Sequence, residues 1–430
     1  MHARWIVAPA LVVAALCGGR VAAAQSPDSS ATGPRISRRE AISLALAHNP
    51  TLEVARQQVE QARARVRQAV ALPEPSFGVS VLGQPSVLRP HTGTETDLSA
   101  GVTIPFPQKI RLQGLAARGD LGAFDQSLAL QQQQIIMQTN QAYDSLLVSE
   151  WHRRDLLEAR QLSADFLKKT QARFDAGTAA KLDVIKAQVS VAQAENDLIG
   201  NERGIAAARA ALNRLLGRVL GATIEPADSL SIPVMPPDFA QMEERALRIR
   251  PEIQALERQR AGARAAASLA QQFFLPDISI SVSRNNIYGS PAVYSTGIGF
   301  GFPLFPWQNQ RGQVAEARHH EAELTAQYRD VQAQVGQDLR NAYSAATTAL
   351  RQAVFLRDEL LPAARAAHKA TLASYTLGGT SALEVLDAQR TLLDAQTQYA
   401  AALAAANDAM ADLERASGAP LLTAATGPDR

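Results

Sequence analysis

The chain has 430 residues, and its 43 Lys and Arg against 41 Asp and Glu leave a formal charge of +2. A balance this even excludes a protein that works by neutralising a phosphate backbone, so no nucleic acid is expected as a partner. Hydrophobic residues at 46% with charged residues at 20% exclude a wholly disordered chain, and aromatics at 5% favour long helices packed through small side chains over a compact enzyme core.

At the N-terminus, Arg4, the apolar run Trp5–Leu16 and the small residues Val21–Ala24 form the charge, core and Ala-x-Ala pattern of a secretory signal. Residues 1–24 are therefore expected to direct Sec export and to be removed. The single cysteine, Cys17, permits neither a disulfide framework nor a thiolate metal site, and Leu16 stands before it where lipid attachment needs a small residue. Beyond the signal no stretch approaches the roughly 18–20 apolar residues of a membrane-spanning helix. The mature chain is expected to be exported, and then either to stay soluble or to enter a membrane as strands.

The mature chain repeats itself. Ala45-Leu46-Ala47-His48-Asn49-Pro50 matches Ala246-Leu247-Arg248-Ile249-Arg250-Pro251 at an offset of 201 (251 − 50). Pro75 with Phe77, Val79 and Val81 matches Pro276 with Ile278, Ile280 and Val282 in the same register, Phe174 to Val184 matches Tyr375 to Val385, and Ala142-Tyr143 matches Ala342-Tyr343 one residue short of it. The reading is a tandem duplication: a first repeat over 36–217, a Pro-rich linker over 218–238, a second repeat over 239–418 and a disordered tail over 419–430.

Each repeat reads as a helix, two strands, a very long helix and a long helix. Ser37 with Glu40 three residues on is a capping-box pattern that opens a helix expected to run to about Ala71, where Pro73 and Pro75 stop it. Period-two strands follow, with Phe77, Val79 and Val81 against Gly78 and Ser80, returning as Leu98, Ala100, Val102 and Ile104 against Ser99, Gly101 and Thr103. In the second repeat Ile278, Ile280 and Val282 alternate with Ser279, Ser281 and Ser283, and Ile298, Phe300 and Phe302 alternate with Gly297, Gly299 and Gly301 before Pro303.

The rods come next. A helix from about Gln108 to Ala172 would be about 95 Å long, and Ile135/Ile136, Ala142/Tyr143, Leu146/Leu147, Leu156/Leu157 and Phe166/Leu167 give it a wide apolar stripe. In the second repeat a coiled-coil seam from Leu324 through Tyr328, Val331, Val335, Leu339, Ala342, Ala346, Ala349, Ala353 and Leu356 to Leu360 advances by threes and fours, with a stutter at Val335-Leu339-Ala342. Pro362 inside this run marks a bend.

Strands with one apolar face and one Gly- or Ser-rich face suit a transmembrane barrel; the plainer alternative is a surface hairpin packed on the helices. One chain offers four such strands, an open sheet edge cannot sit in hydrocarbon, and barrels begin at about eight strands. The strands must be pooled between chains, and the protein is expected to be an obligate oligomer.

Tyr375-x-x-Gly378 followed by Leu383-Glu384-Val385-Leu386-Asp387-Ala388-Gln389, its echo Phe174-x-x-Gly177 with Leu182-Asp183-Val184-Ile185-Lys186-Ala187-Gln188, the opening Ala-Leu-x-x-Asn-Pro and the strand-ending Ile104-Pro105-Phe106-Pro107 resemble the TolC family of outer membrane efflux channels. The resemblance covers nearly the whole mature chain. It implies a fold class that is mainly α with a small β part: long coiled-coil helices forming a periplasmic α-barrel, and four strands per chain contributing to a trimeric twelve-stranded outer-membrane β-barrel in contact with lipid. It also implies a passive conduit completed by a periplasmic adaptor (a membrane fusion protein) and an inner-membrane transporter. A soluble periplasmic coiled-coil adaptor or scaffold is the alternative, and no catalytic constellation supports an enzyme or a cofactor.

The candidate sites follow from that frame. The lipid-facing strand residues are Phe77, Val79, Val81, Val102, Ile104, Ile278, Ile280, Val282, Ile298 and Phe300. The turns Asp175–Lys181 and Leu377–Leu383 lie at the far end of the rods, where Gly177 and Gly378 supply the left-handed conformation that ends a helix. The resemblance makes Gly177, Thr178, Ala179, Gly378, Gly379, Thr380 and Ser381 the adaptor-docking tips. It matches Glu384 and Asp387, which share a helix face, to an acidic gate ring, Asp183 to its counterpart and Tyr375 to a gate-lining tyrosine. Thr380 stands where the best-known members carry a gate arginine, and a Lys186–Asp387 pair is the expected substitute latch. Glu316, His319, His320 and Glu323 read as a solvated helix face, with no metal site expected. Gly297-x-Gly299-x-Gly301 reads as strand and not as a phosphate loop, and five methionines without clustering give no support to a Cu(I) relay.

Overall fold

A computed structural model describes residues 33–83, 94–287, 289–301 and 309–418. The secretory segment, Cys17, Phe302, Pro303 and the tail over 419–430 lie outside the described residues. Strand β1 (Arg35–Ile36) leads into α1 (Arg38–His48) and α2 (Pro50–Ala69), then β2 (Ser76–Leu82) and β3 (Glu95–Ile104), then α3 (Pro107–Asp175) and α4 (Lys181–Leu215). After β4 (Glu225–Pro226) the pattern recurs as α5 (Phe239–Ile249), α6 (Pro251–Gln271), β5 (Asp277–Ile287), β6 (Val293–Gly301), α7 (Gln310–Phe355), a π-helical turn (Leu356–Leu360), α8 (Leu361–Thr376) and α9 (Ala382–Ser417).

The capping box forms as expected, Ser37 and Glu40 each serving the other's backbone N–H. The single helix expected from there to about Ala71 is instead two helices, divided at Asn49. Pro50 forces the residue before it out of the helical region, and Asn49 sits at φ −67°, ψ 123° while its side chain caps Thr51 N at 2.9 Å. The same break recurs at Arg250 before Pro251. Both pre-proline side chains then tie their repeat shut: Asn49 Nδ2 donates to Leu215 O at 3.0 Å and Arg250 Nη1 to Ala416 O at 3.4 Å, the C-terminal carbonyls of α4 and α9.

The linker carries almost no regular structure, but β4 pairs in parallel with β1, and Ile224 and Leu230 enter a core with Ile36, Leu52, Tyr143, Leu146 and Leu212. A second core joins Met242, Ile253, Val335, Leu339, Leu350 and Met410 from α5, α6, α7 and α9. At 69 residues, α3 is about 100 Å long. It meets α6 backbone to backbone, since a Cβ added to Gly119 would stand 2.5 Å from Gly262 Cα.

The second rod changes form just before Pro362, the residue expected to mark a bend. Its missing N–H and its ring cannot serve the carbonyl four residues back, and the turn just before it widens to the π form. The seam also drifts there: Leu324, Val335, Leu339, Ala346 and Ala353 are buried as expected, yet Leu350 is buried in place of Ala349. On the first rod the stripe is buried at Ile135, Tyr143, Leu146, Leu147, Leu156 and Phe166, while Leu157 is left 47% exposed.

Candidate functional site

The two strand pairs form one antiparallel sheet in the order β2-β3-β5-β6, joined through β3 and β5. Residues opposite one another across a ladder share a face. One face therefore carries, from the helical end outward, the rows Ile104/Ile278/Phe300, Val102/Ile280/Ile298, Phe77/Ala100/Val282/Thr296, Val79/Leu98/Arg284/Tyr294 and Val81/Thr96/Asn286. All ten strand residues named from the sequence fall on it. Phe77 is 81% exposed and Val79 and Ile298 are 71% exposed, so the sheet does not lay this face on the helices, and the surface-hairpin alternative fails.

The other face sets glycine against serine. Gly78 opposes Ser99, Gly101 opposes Ser281 and Gly299 opposes Ser279, where a Cβ on Gly299 would stand 2.5 Å from Ser279 Oγ. The glycines of β6 thus make room for a polar lining. At the base of the sheet Lys109 Nζ holds Asp277 Oδ1 at 2.9 Å, pinning the start of α3 to the start of β5.

At the opposite end of the rods the two turns meet. Gly177 at φ +74° closes α3, with the Thr178 N–H and hydroxyl both donating to Arg173 O, at 2.8 and 3.0 Å. Gly378 at φ +82° closes α8, and Gly379 N donates to Ser374 O at 2.9 Å. Thr380 Oγ1 donates to Thr371 O at 3.2 Å, which folds this turn onto its own helix. Ser381 caps α9, and Glu384 completes a capping box, its Oε1 accepting from the Ser381 hydroxyl at 2.9 Å.

Tyr375 is buried, its ring 5.2 Å from that of Phe166 and its hydroxyl donating to Thr170 Oγ1 at 3.3 Å. Asp387 is exposed and Asp183 and Lys186 are half-buried. Among the described residues no ion pair joins Lys186 to Asp387, so the expected latch does not form inside one protomer. The two turns are instead held by Arg173, which the sequence reading missed. Its Nη1 donates to Tyr375 O at 2.5 Å, its Nη2 to Thr178 O at 3.1 Å, and its guanidinium lies 4.5 Å from the Tyr375 ring centroid. The signal was there: Arg173 is the repeat-equivalent of Ser374, a break in the internal symmetry beside its best-matched motif. Exposed leucines were missed as well, for Leu377 is 89%, Leu383 60% and Leu182 57% exposed at these tips.

Between α3 and the α8–α9 hairpin lie acidic groups that titrate high. Burial, with Asp144 and Asp412 nearby, pushes the Asp408 carboxyl up to about 7, and burial with Glu158 nearby pushes Asp155 up to about 6. Burial holds His368 on α8 below the usual histidine range. His320 and Glu323 form an exposed pair at 3.3 Å, away from these groups.

Comparison with known proteins bears on this arrangement. The pattern of a family described as outer membrane efflux protein matches residues 41–218 and 243–419. Over 392 residues the chain is 23% identical to the cobalt-zinc-cadmium resistance protein CzcC of Cupriavidus metallidurans, covering 90% of this chain and 91% of that one. It is 25% identical over 374 residues to the pyoverdine export outer membrane protein OpmQ of Pseudomonas putida, covering 82% and 79%. The solved structure of CusC superposes with a TM-score of 0.76 at 19% identity, covering 90% of this chain and 94% of that one. That of VceC from Vibrio cholerae gives 0.73 at 20%, covering 89% and 96%. At these identities the structures establish the shared fold. They do not favour the soluble adaptor reading, which also leaves the apolar sheet face unexplained. With the family pattern spanning most of the chain and the sheet turning an apolar face outward, the chain belongs to the outer membrane efflux protein family and is an outer membrane channel of that kind.

Proposed function

We propose that three copies of the chain pool their strands into one twelve-stranded barrel and that the conduit works passively, without an enzymatic step. One observation carries this: the four-stranded sheet ends in edges β2 and β6 while exposing a continuous apolar face. In hydrocarbon those edges need partners, and four strands are too few to supply them within a chain. The exposed stripe Leu182, Ile185, Val189 and Ile199 on α4 gives the helical part a matching need for neighbours.

On this reading the mature chain leaves the cytoplasm by the Sec route, and its repeats occupy 36–217 and 239–418 around the 218–238 linker. The tips dock a periplasmic adaptor served by an inner-membrane transporter. Gly177, Thr178, Ala179, Gly378, Gly379, Thr380 and Ser381 shape the docking surface, and the exposed Leu182, Leu377 and Leu383 supply its apolar contacts. Arg173 and the buried Tyr375 hold the two tips of a protomer together. Asp183, Lys186, Glu384 and Asp387 set the charge at the narrow end, with Lys186 and Asp387 free to meet across protomers. The names of the relatives speak of cobalt-zinc-cadmium resistance and pyoverdine export, and the cargo of this chain on this reading is a small solute.

The test is outer-membrane fractionation followed by gel mobility with and without heating. A heat-sensitive trimer in the membrane fraction is expected; a monomer in the periplasmic wash would overturn the proposal. For the charge at the narrow end, Glu384→Gln with Asp387→Asn is expected to lower cation preference in planar bilayers, and unchanged reversal potentials would remove that assignment.

A further inference from the structure

We infer that Arg284 and Tyr294 form a binding site for the phosphorylated headgroup of an outer-leaflet lipid. The inference rests on the barrel reading above. On the apolar sheet face, the rows nearest the helices are Ile104/Ile278/Phe300, Val102/Ile280/Ile298 and Phe77/Ala100/Val282, with Thr296 the one polar member. Arg284 follows in the next row, directly opposite Leu98 and Tyr294, and it is the one charged side chain on this face among the described strand residues. A charge facing lipid is tolerated near an interface and costly at the bilayer midplane. Its position therefore marks a level in the membrane.

The level can be measured from the other rim. Asp277, paired with Lys109, marks the base of the sheet, and Arg284 lies seven residues farther along β5. That is about 24 Å along a strand, or about 18 Å of height at the usual barrel tilt of about 35–45°. The apolar band of such barrels is about 25 Å tall, so a long side chain reaching outward from this row carries its guanidinium to the outer rim. Beyond it the face turns polar, with Thr96 and Asn286 in the following row.

Chemistry selects the occupant. Arg284 and Tyr294 are both exposed, and the guanidinium carbon lies 6.0 Å from the Tyr294 ring centroid, with no carboxylate paired to it among the described residues. The nearest acidic strand residues, Glu95 and Asp97, sit on the opposite face of the sheet, where Asn285 donates to Glu95. An unpaired guanidinium beside an amphipathic ring at the headgroup level fits a phosphate monoester, which it grips with two parallel N–H donors, while Tyr294 packs on the acyl chains below. Pooling of copies would repeat this contact around the barrel and set its depth.

The test uses the native oligomer reconstituted into phosphatidylcholine vesicles that contain either bisphosphorylated lipid A or the same lipid with both phosphates removed. Lipid retained per chain is then counted by native mass spectrometry. The wild type is expected to retain the phosphorylated form selectively. Arg284→Gln is expected to lower that retention about fivefold, the factor corresponding to about 1 kcal/mol for one cation at a membrane surface. Should Arg284→Gln fail to insert, Arg284→Lys carries the test: it keeps the surface charge but not the two parallel N–H donors, so retention should fall about twofold, and retention unchanged from wild type in either inserted variant overturns the site. Equal retention of the two lipids by inserted wild-type protein overturns the site and leaves the barrel standing. Failure of the wild type to insert into either vesicle overturns the barrel and the site together.

Discussion

The two repeats were built from one plan, and where they differ is instructive. The first rod, α3, runs unbroken for 69 residues, while the second is interrupted by the π-helical turn Leu356–Leu360 before α8. The cause is one imino acid, for Gln161 stands in the first repeat where Pro362 stands in the second. Tyr143 is fully buried, its hydroxyl shared between Ile36 O at 2.8 Å and Asp228 Oδ2 at 2.9 Å; its counterpart Tyr343 is only partly buried and packs edge-on against Phe239. Arg173 reaches from the first repeat into the second, and Ser374 at the equivalent place cannot return the contact. These differences leave one continuous rod anchored in the core and one with a weak point above its tip.

The comparison breaks most readily at Arg173. Hydrogen bonds from a charged donor are worth about 1.5–3 kcal/mol each, so Arg173→Ala is expected to loosen the paired tips by about 3 kcal/mol, or about a hundredfold. Single-channel conductance should rise, and no change would show that the tips are held elsewhere. The two tyrosines separate next. Tyr143→Phe should cost about 2 kcal/mol by taking the hydroxyl from the Asp228 carboxylate and N–H and from the Ile36 carbonyl, leaving the carboxylate to the Arg38 N–H and the carbonyl to the Ala227 N–H, whereas Tyr343→Phe should cost under about 0.5 kcal/mol; chemical denaturation of the two variants side by side reads the difference.

Pro362→Ala sharpens the contrast between the rods. Restoring an N–H at this position should let the helix run through, stabilising it by about 1 kcal/mol, less than the roughly 3 kcal/mol of a mid-helix proline because the π turn already absorbs most of the conflict. Slower amide exchange over residues 356–361 is the expected reading. The remaining contrast lies in pH dependence. Asp408 faces Asp144 on α3, Asp412 on α9 and Arg38 on α1, and its carboxyl titrates at about 7, above the 3.8 of an exposed aspartate. The folded state therefore holds this proton more tightly than the unfolded chain, and stability is lost as pH rises from about 4 through 7. Asp155, at about 6, acts in the same sense, while His368 opposes it below its usual range. Thermal stability should rise as pH falls from 8 towards 5, and Asp408→Asn should flatten that slope; an unaltered slope would place the proton on another group.

Much of the architecture was legible beforehand because it is periodic. Alternation at Phe77, Val79 and Val81 or at Ile278, Ile280 and Val282 records which side of a strand avoids water, and the spacing from Leu324 to Ala353 records a helix face. The break at Asn49 was missed although Pro50 was in view, since proline is tolerated in the first turn of a helix and the capping box ahead of it promised one uninterrupted element. The candidate site was less legible. Glu384 was read for its charge while its carboxylate serves the Ser381 cap, and Lys186 was matched to Asp387 by repeat position, which does not fix distance.

The amino-acid order alone determined the strand faces, the rods and the turn glycines, because each depends on contacts between residues close along the chain. Only the tertiary structure decided that β3 joins β5, that Gly119 lies on Gly262, that Arg173 spans both tips and that Arg284 shares a row with Leu98 and Tyr294. These pairings bring together residues that lie far apart in sequence, and they are set by the packing of whole helices and the register of whole strands, which no local pattern encodes.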